Sequence, residues 1–387
     1  MSMDSKTAIP KCAPSNPFAE RAISVLHLCN VYFPSGSVES IVDIITARTS
    51  GLGCKHSLLS LEKPSIHAPL WNRVQHGREL AGRFQRCIGS RYNPFSVLLG
   101  IRKACAINEV DVIHCHMGWA LVVGRIAALL LRLPLVVTFH NELGRYNPGV
   151  RWALKLLPQK RCVLTGVSSA VCQQWESWLR RPVELIPNPL KIDSCTKSNL
   201  KREHNGPVRL VVVSRLTAIK RVDFSLRLLK ALIDAGTAAE LVIVGDGPEG
   251  SALQNLTEDL GISKHVSFLG FQSDVSGCLD WSDYFVLSSL YEGFCMAAIE
   301  AMARGSLLVA HRLPAISDYA QDGVNAVVTE ECSVSEWCSR IKSLEQDRSQ
   351  LFGMKYAAWR LVREKFAPDL VAQHYARAYD GLLAACK

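Results

Sequence analysis

Two glutamates, Glu292 and Glu300, enclose seven residues that are almost all apolar or small in the stretch YEGFCMAAIE. Upstream, SRLTAIK sets Arg215 and Lys220 five apart. A carboxylate accepts hydrogen bonds from hydroxyls, an arginine offers a planar fork of donors, and a lysine acts as a point charge. Together these groups suit one ligand that carries both hydroxyls and a diphosphate. Taken singly they have a plainer reading, as polar ends of a core helix and as solvated cations. Spacing alone leaves both readings open.

Further candidates lie where apolar runs end. GDGPE, Gly245 to Glu249, has the glycines of a tight turn and falls short of a full dinucleotide or P-loop fingerprint. Pro34, Ser35, Gly36 and Ser37 form a small-residue loop ahead of a helical pattern, where backbone amides can approach a phosphate. His140 closes the apolar run of VVTFHNE and can bond a sugar hydroxyl or a carbonyl. His114 and His116 in HCH invite a metal reading. Strand alternation turns Cys115 away from both, however, and no acidic ligand is placed beside them, so no metal is expected.

The elements that must position these residues alternate. Short apolar runs at 22–28, 56–61, 111–114, 135–139, 161–167 and 183–186 read as strands, with helical spacing at 38–49 and 120–131. After a polar stretch at 191–207 the rhythm restarts, with strands at 208–213, 239–244, 266–269, 284–288 and 307–310. Helices fall near 222–235 and 250–260, and from about Cys295 to Ala303, which places Glu292 before the last helix and Glu300 two turns inside it. From Ser333 the pattern is helical, interrupted at 366–368. The fold class is therefore α/β, with two doubly wound, Rossmann-like parallel sheets and a ligand cleft between their carboxyl ends. The expected divisions are a loose tail at 1–21, a first domain at 22–195, a second at 196–365 and a final helix at 366–387. The length of 387 residues is ample for two cores.

Fourteen cysteines without a CxxC pair, and no signal peptide, are expected to be reduced thiols in the cytosol. The apolar stretch from Trp119 to Val137 is broken by Arg125, Arg132 and Pro134, so it reads as helix, turn and strand and not as a membrane span. The net charge is +9, and basic residues cluster in two regions, Arg73 to Arg91 and Arg151 to Arg161. These suit an anionic membrane surface or acidic acceptor, or simply a solvated face; no nucleic-acid-binding pattern is present.

The series VVVSRLTAIKRVD, LVIVGDGPE, VSFLGF and SSLYEGFCMAAIEAMARG resembles the GT-B-fold retaining glycosyltransferases of the group 1, or family 4, type. Weaker echoes occur at PSGSVE, VVTFHNE, TGVSSAV and LIPNPL. The resemblance implies a nucleoside-diphosphate sugar, UDP- or GDP-linked, held by the second domain. Arg215 and Lys220 would meet its diphosphate and Glu292 its sugar. Gly293, Phe294, Cys295 and Met296 would line that sugar, and Glu300 would bind the ribose. Gly36 and Ser37 would face the phosphates, Gly245 the donor, and His140 the transferred sugar. It further implies hexose transfer to a glycan or lipid-linked acceptor by front-face attack, without a metal or a covalent protein nucleophile, in cell-envelope or exopolysaccharide biosynthesis at the inner face of a membrane. The final helix would cross back onto the first domain. Ser37 departs from the second glycine common in the family, and Cys295 and Met296 stand where smaller or aliphatic residues are usual. Other readings are glucan synthesis or phosphorolysis, and a non-catalytic nucleotide-sugar-binding subunit.

Overall fold

The computed structural model describes residues 22–31, 37–62, 84–86, 94–158, 160–190, 200 and 206–385. Its first sheet comprises β1 (Ile23–Val31), β2 (Cys54–Glu62), β3 (Phe84–Arg86), β4 (Val112–His116), β5 (Leu135–Phe139), β6 (Cys162–Gly166) and β7 (Glu184–Leu185). They pair in parallel in the order β3-β2-β1-β4-β5-β6-β7. The connecting helices are α1 (Ser37–Ser50), α2 (Pro94–Ile107), α3 (Gly118–Leu131), α4 (Pro148–Leu156) and α5 (Ser169–Leu179). Every residue of β4 and β5 is buried, as expected of central parallel strands covered on both faces.

The second sheet has β8 (Val208–Val213), β9 (Ala239–Val244), β10 (Val266–Phe268), β11 (Tyr284–Leu287), β12 (Leu307–His311) and β13 (Ala326–Thr329), parallel in the order β10-β9-β8-β11-β12-β13. Around it lie α6 (Val222–Asp234), α7 (Gly250–Asp259), α8 (Ser276–Trp281), α9 (Met296–Ala303), α10 (Val334–Gln346) and α11 (Arg348–Lys365). The chain breaks at Phe366 and Ala367, and Pro368 opens α12 (Pro368–Ala384) without needing an N–H partner. Val371, Tyr375, Tyr379 and Leu382 of α12 share a buried cluster with Val25 and with Ile41 and Ile45 of α1. The last helix thus covers one face of the first sheet. The two passages between the sheets touch, since Leu190 N donates to Phe366 O at 2.8 Å.

Strands β5, β8 and β9 have the expected limits, and the other expected strands shift by a few residues at their ends. Three details differ from expectation. Ser37 begins α1 and is not part of the loop before it. Helix α9 begins at Met296, so Glu300 lies one turn inside it and not two. Helices α2, α4, α5 and α8 and strands β3 and β13 add to the expected set. Gly36, the 1–21 tail and most of the 191–207 stretch fall outside the described residues, as do Arg73, Arg78, Arg83 and Arg91.

Candidate active site

The second sheet contributes two loops side by side. After β8, Leu216 N donates to Asp246 O at 2.9 Å, and Glu249 N donates to Leu216 O at 3.0 Å. This lays SRLTAIK against GDGPE, at a distance only glycine permits. Gly245 has φ +131°, and a Cβ there would stand 1.9 Å from Ser214 O. At Gly247 the same atom would stand 2.2 Å from Leu216 O. GDGPE is therefore a backing wall for the cationic loop. Ala218–Lys220 forms a single 3₁₀ turn. Lys220 Nζ donates to Glu292 Oε1 at 2.7 Å, with both side chains largely buried. The backbone beneath is tied in the same way: Ser288 Oγ reaches Lys220 O at 3.0 Å and Arg221 O at 2.8 Å, and Leu290 N donates to Ile219 O at 2.9 Å. Arg215 is exposed and, among the described residues, has no ion-pair partner.

YEGFCMAAIE is the turn from β11 into α9. Phe294 is buried, and its carbonyl accepts from the Tyr319 hydroxyl at 2.8 Å. Cys295 takes the left-handed conformation, φ +60°, immediately before α9. Burial, reinforced by the Glu292 carboxylate, pushes its thiol well above the ordinary range, so it stays protonated. Met296 is partly buried, packed against core residues of both sheets. Glu300 is half-buried on α9. Four residues at 1.5 Å rise put it about 6 Å along the helix axis from Met296.

The first sheet meets this turn directly. A Cβ on Gly293 would lie 2.4 Å from His140 O and 3.1 Å from Asn141 Oδ1. Ser168 Oγ donates to Gly293 O at 3.1 Å, and Ser169 N to Asp318 Oδ2 at 2.7 Å. The Arg145 guanidinium sits 4.2 Å from the centre of the Tyr291 ring. The sequence reasoning did not single out Ser168, Asp318, Arg145 or Tyr291. A signal existed for Ser168, whose place in TGVSSAV is that of a helix N-cap, and its hydroxyl does accept from Val171 N.

Behind His140 lies a row of imidazoles. His56 Nδ1 is 3.0 Å from His27 Nε2, His27 Nδ1 is 3.0 Å from His116 Nε2, and His116 Nδ1 is 3.2 Å from His140 Nε2. His114 bonds Tyr379 and Thr138. As alternation requires, Cys115 faces the other way, against Gly124 of α3. Burial lowers the pKa of every one of these histidines, to about 4 for His56 and about 3 for His140, so all are neutral at pH 7. His27, His114 and His116 present nitrogens within 4.8 Å of one another. Each of those nitrogens already has a partner, so a metal there would have to break the hydrogen-bonded row. His140 Nδ1 is different: it is buried and, among the described residues, has no hydrogen-bond partner.

The sequence pattern described as glycosyl transferases group 1 matches residues 196–359, and that described as glycosyltransferase family 4 matches residues 36–194. An uncharacterized glycosyltransferase of Methanocaldococcus jannaschii is 26% identical over 57% of this chain and 62% of its own length. The chain thus spans less than two thirds of that relative. The Bacillus anthracis N-acetyl-alpha-D-glucosaminyl L-malate synthase is 24% identical over 76% of this chain and 81% of its own. Among solved structures, Anabaena HepE in complex with UDP and glucose superposes with a TM-score of 0.76, at 20% identity, over 93% of this chain and 100% of that one. Two patterns that between them take in every strand of both sheets except β1, and that fold, establish that the chain belongs to the group 1 glycosyltransferases, enzymes of the GT-B fold.

Proposed function

We propose that this glycosyltransferase moves a hexose from a UDP- or GDP-sugar to a hydroxyl of a glycan or lipid-linked acceptor, with retention at the anomeric carbon. The observation that carries the reading is the Lys220–Glu292 contact of 2.7 Å, set where Gly293 presses on the backbone of His140. That contact joins a cation suited to a leaving diphosphate with a carboxylate suited to sugar hydroxyls. The UDP and glucose of the Anabaena complex support this class of donor.

In this reading the acceptor hydroxyl attacks the anomeric carbon while the bond to the diphosphate breaks on the same face. The proton leaves with the departing phosphate oxygen. Negative charge grows on the diphosphate, and Arg215, Lys220 and the positive end of the α9 dipole oppose it. These groups supply the needed charge, so the proposal invokes no metal. Glu292 and the turn from Gly293 to Met296 hold the sugar, and Glu300 the ribose. Gly245 shapes the wall behind the diphosphate. Gly36 and Ser37 would approach the phosphates from the first domain, and His140 would bond a sugar hydroxyl.

A lipid-linked acceptor at an anionic membrane face draws support from the second basic cluster. Trp152 and Leu156 of α4 are 53% and 77% exposed, beside Arg151 and Lys155. Apolar side chains among cations suit an anionic interface, as envelope or exopolysaccharide assembly would require. Among the described residues no helix is long and apolar enough to cross a membrane.

The test is release of nucleoside diphosphate across a panel of donors, with and without extracted lipid-linked acceptors, and products read by mass spectrometry and NMR. An acceptor-dependent product with the donor's anomeric configuration is expected. An inverted product overturns the retaining reading, and donor binding without turnover on any acceptor overturns the catalytic assignment of these residues.

A further inference from the structure

We propose that Thr49, His56, His27 and His116 are positioning residues that lock the tautomer of His140, so that its Nδ1 meets the ligand as a hydrogen-bond acceptor only. The inference rests on the reading above that His140 bonds a sugar hydroxyl.

The direction of the row follows from its far end. Thr49 Oγ1 lies 2.6 Å from Ile45 O, and a carbonyl can only accept, so the Thr49 proton is committed there. His56 Nε2, 2.7 Å from the same Oγ1, must therefore be the donor. A neutral imidazole carries one proton. His56 Nδ1 is then an acceptor, and His27 Nε2 must donate to it. The same step passes from His27 to His116 and from His116 to His140. His140 carries its proton on Nε2, and Nδ1 keeps a lone pair. Among the described residues, that nitrogen is the one atom of the row left buried and unpartnered.

A parallel branch obeys the same rule. Thr165 Oγ1 donates to Val137 O, so Thr138 donates to Thr165, His114 Nε2 to Thr138, and Tyr379 to His114 Nδ1. Both branches end on backbone carbonyls inside the protein. The row is therefore no path for protons to solvent, and its effect is to fix direction. It crosses the sheet from β2 through β1 and β4 to the end of β5, all on the face covered by α1 and α12. An alternative row with every proton reversed would leave His56 Nε2 with a lone pair facing a hydroxyl that has no proton to give. Thr49 thus selects between two otherwise equivalent arrangements. The reversed one would turn His140 Nδ1 into a donor.

The test uses the full chain with ¹⁵N-labelled histidine. Nitrogen shifts should show His140 as the Nε2–H form in the wild type and a mixture in Thr49→Val, with Thr49→Ser restoring the single form. In kinetics, Thr49→Val should lower kcat/KM for the donor by about tenfold, the worth of one good hydrogen bond. Thr49→Ser should recover it, and a deoxy donor lacking the bonded hydroxyl should show no difference between the variants. An Nδ1–H form of His140 in the wild type, or an unchanged tautomer in Thr49→Val, overturns the lock. Equal losses in Thr49→Val and Thr49→Ser assign Thr49 to packing alone and overturn it also. The shifts are read without turnover. A locked tautomer in a protein that transfers no sugar would therefore refute the functional reading and leave the lock standing.

Discussion

Replacing Gly293 by alanine tests how closely the two sheets must approach. The new Cβ would stand 2.4 Å from His140 O, whereas ordinary contact begins near 3.4 Å, so one loop must retreat by about 1 Å. No flexible side chain can yield in its place, because the obstacle is backbone. Forcing an extra carbon into such a contact costs about 1–3 kcal/mol. The Ser168 Oγ to Gly293 O bond, already 3.1 Å, has little slack for that retreat, and its loss adds about 0.5–1.5 kcal/mol. The larger effect is on chemistry, since a misplacement of about 1 Å at a reacting centre costs roughly a hundredfold. We therefore expect Gly293→Ala to lower acceptor-dependent diphosphate release about a hundredfold. The share of donor lost to water should rise, because an opened turn admits it. Gly353→Ala in α11, where a Cβ would meet nothing within 4 Å, is the control, and should gain stability by about 0.5–1 kcal/mol with activity intact. Activity of Gly293→Ala within about threefold of wild type would refute the argument that this contact positions the site.

Lys220→Met should lower kcat by about 10² to 10³ if its charge opposes the leaving diphosphate, with Glu292→Gln combining less than additively with it in steady-state assays. Cys295→Ala should keep activity within about threefold, because burial holds the thiol protonated and unable to attack; a loss beyond about a hundredfold would point to a direct role. Stability should fall steeply in acid. Unfolded histidines take up protons below about pH 6.5, while His56 resists to about 4 and His140 to about 3, so the unfolded state binds more protons throughout that window. Stability is complete well above pH 6.5 and is lost as pH falls through the window, each of the two removing about 2 kcal/mol between pH 7 and 5. Urea unfolding at stepped pH reads this directly, and a flat profile from pH 7 to 5 would contradict the neutral, buried row.

Arg215, Lys220 and Glu292 were legible because each follows a clean apolar run, and in parallel sheets the carboxyl ends of such runs gather at one edge. Their pairing was not. Lys220 meets Glu292 because β8 lies between β9 and β11, an order no stretch of sequence states. The imidazole row was hidden for a related reason. Its members alternate correctly on separate strands, but only the register, with His56 opposite Val25, His27 opposite His114 and Cys29 opposite His116, brings their rings together. Helices α2 and α4 escaped notice because Phe95, Leu99, Trp152 and Leu156 point outward and blur the apolar stripe that marks a surface helix.

A buried line of imidazoles lies behind His140, and its energetics explain its form. Each interior ring donates once and accepts once, so burying it neutral costs little. The imbalance is pushed to the two ends. At Thr49 a carbonyl absorbs it. At His140 none of the described residues does, and an unsatisfied buried acceptor costs about 1–3 kcal/mol. On the proposal above, a sugar hydroxyl bonded to Nδ1 would recover that cost on binding. The second sheet, stitched to itself through Ser288, Leu290 and Leu216, supplies charge at fixed positions. The first sheet supplies the unmet acceptor, and Gly293 brings the two within reach.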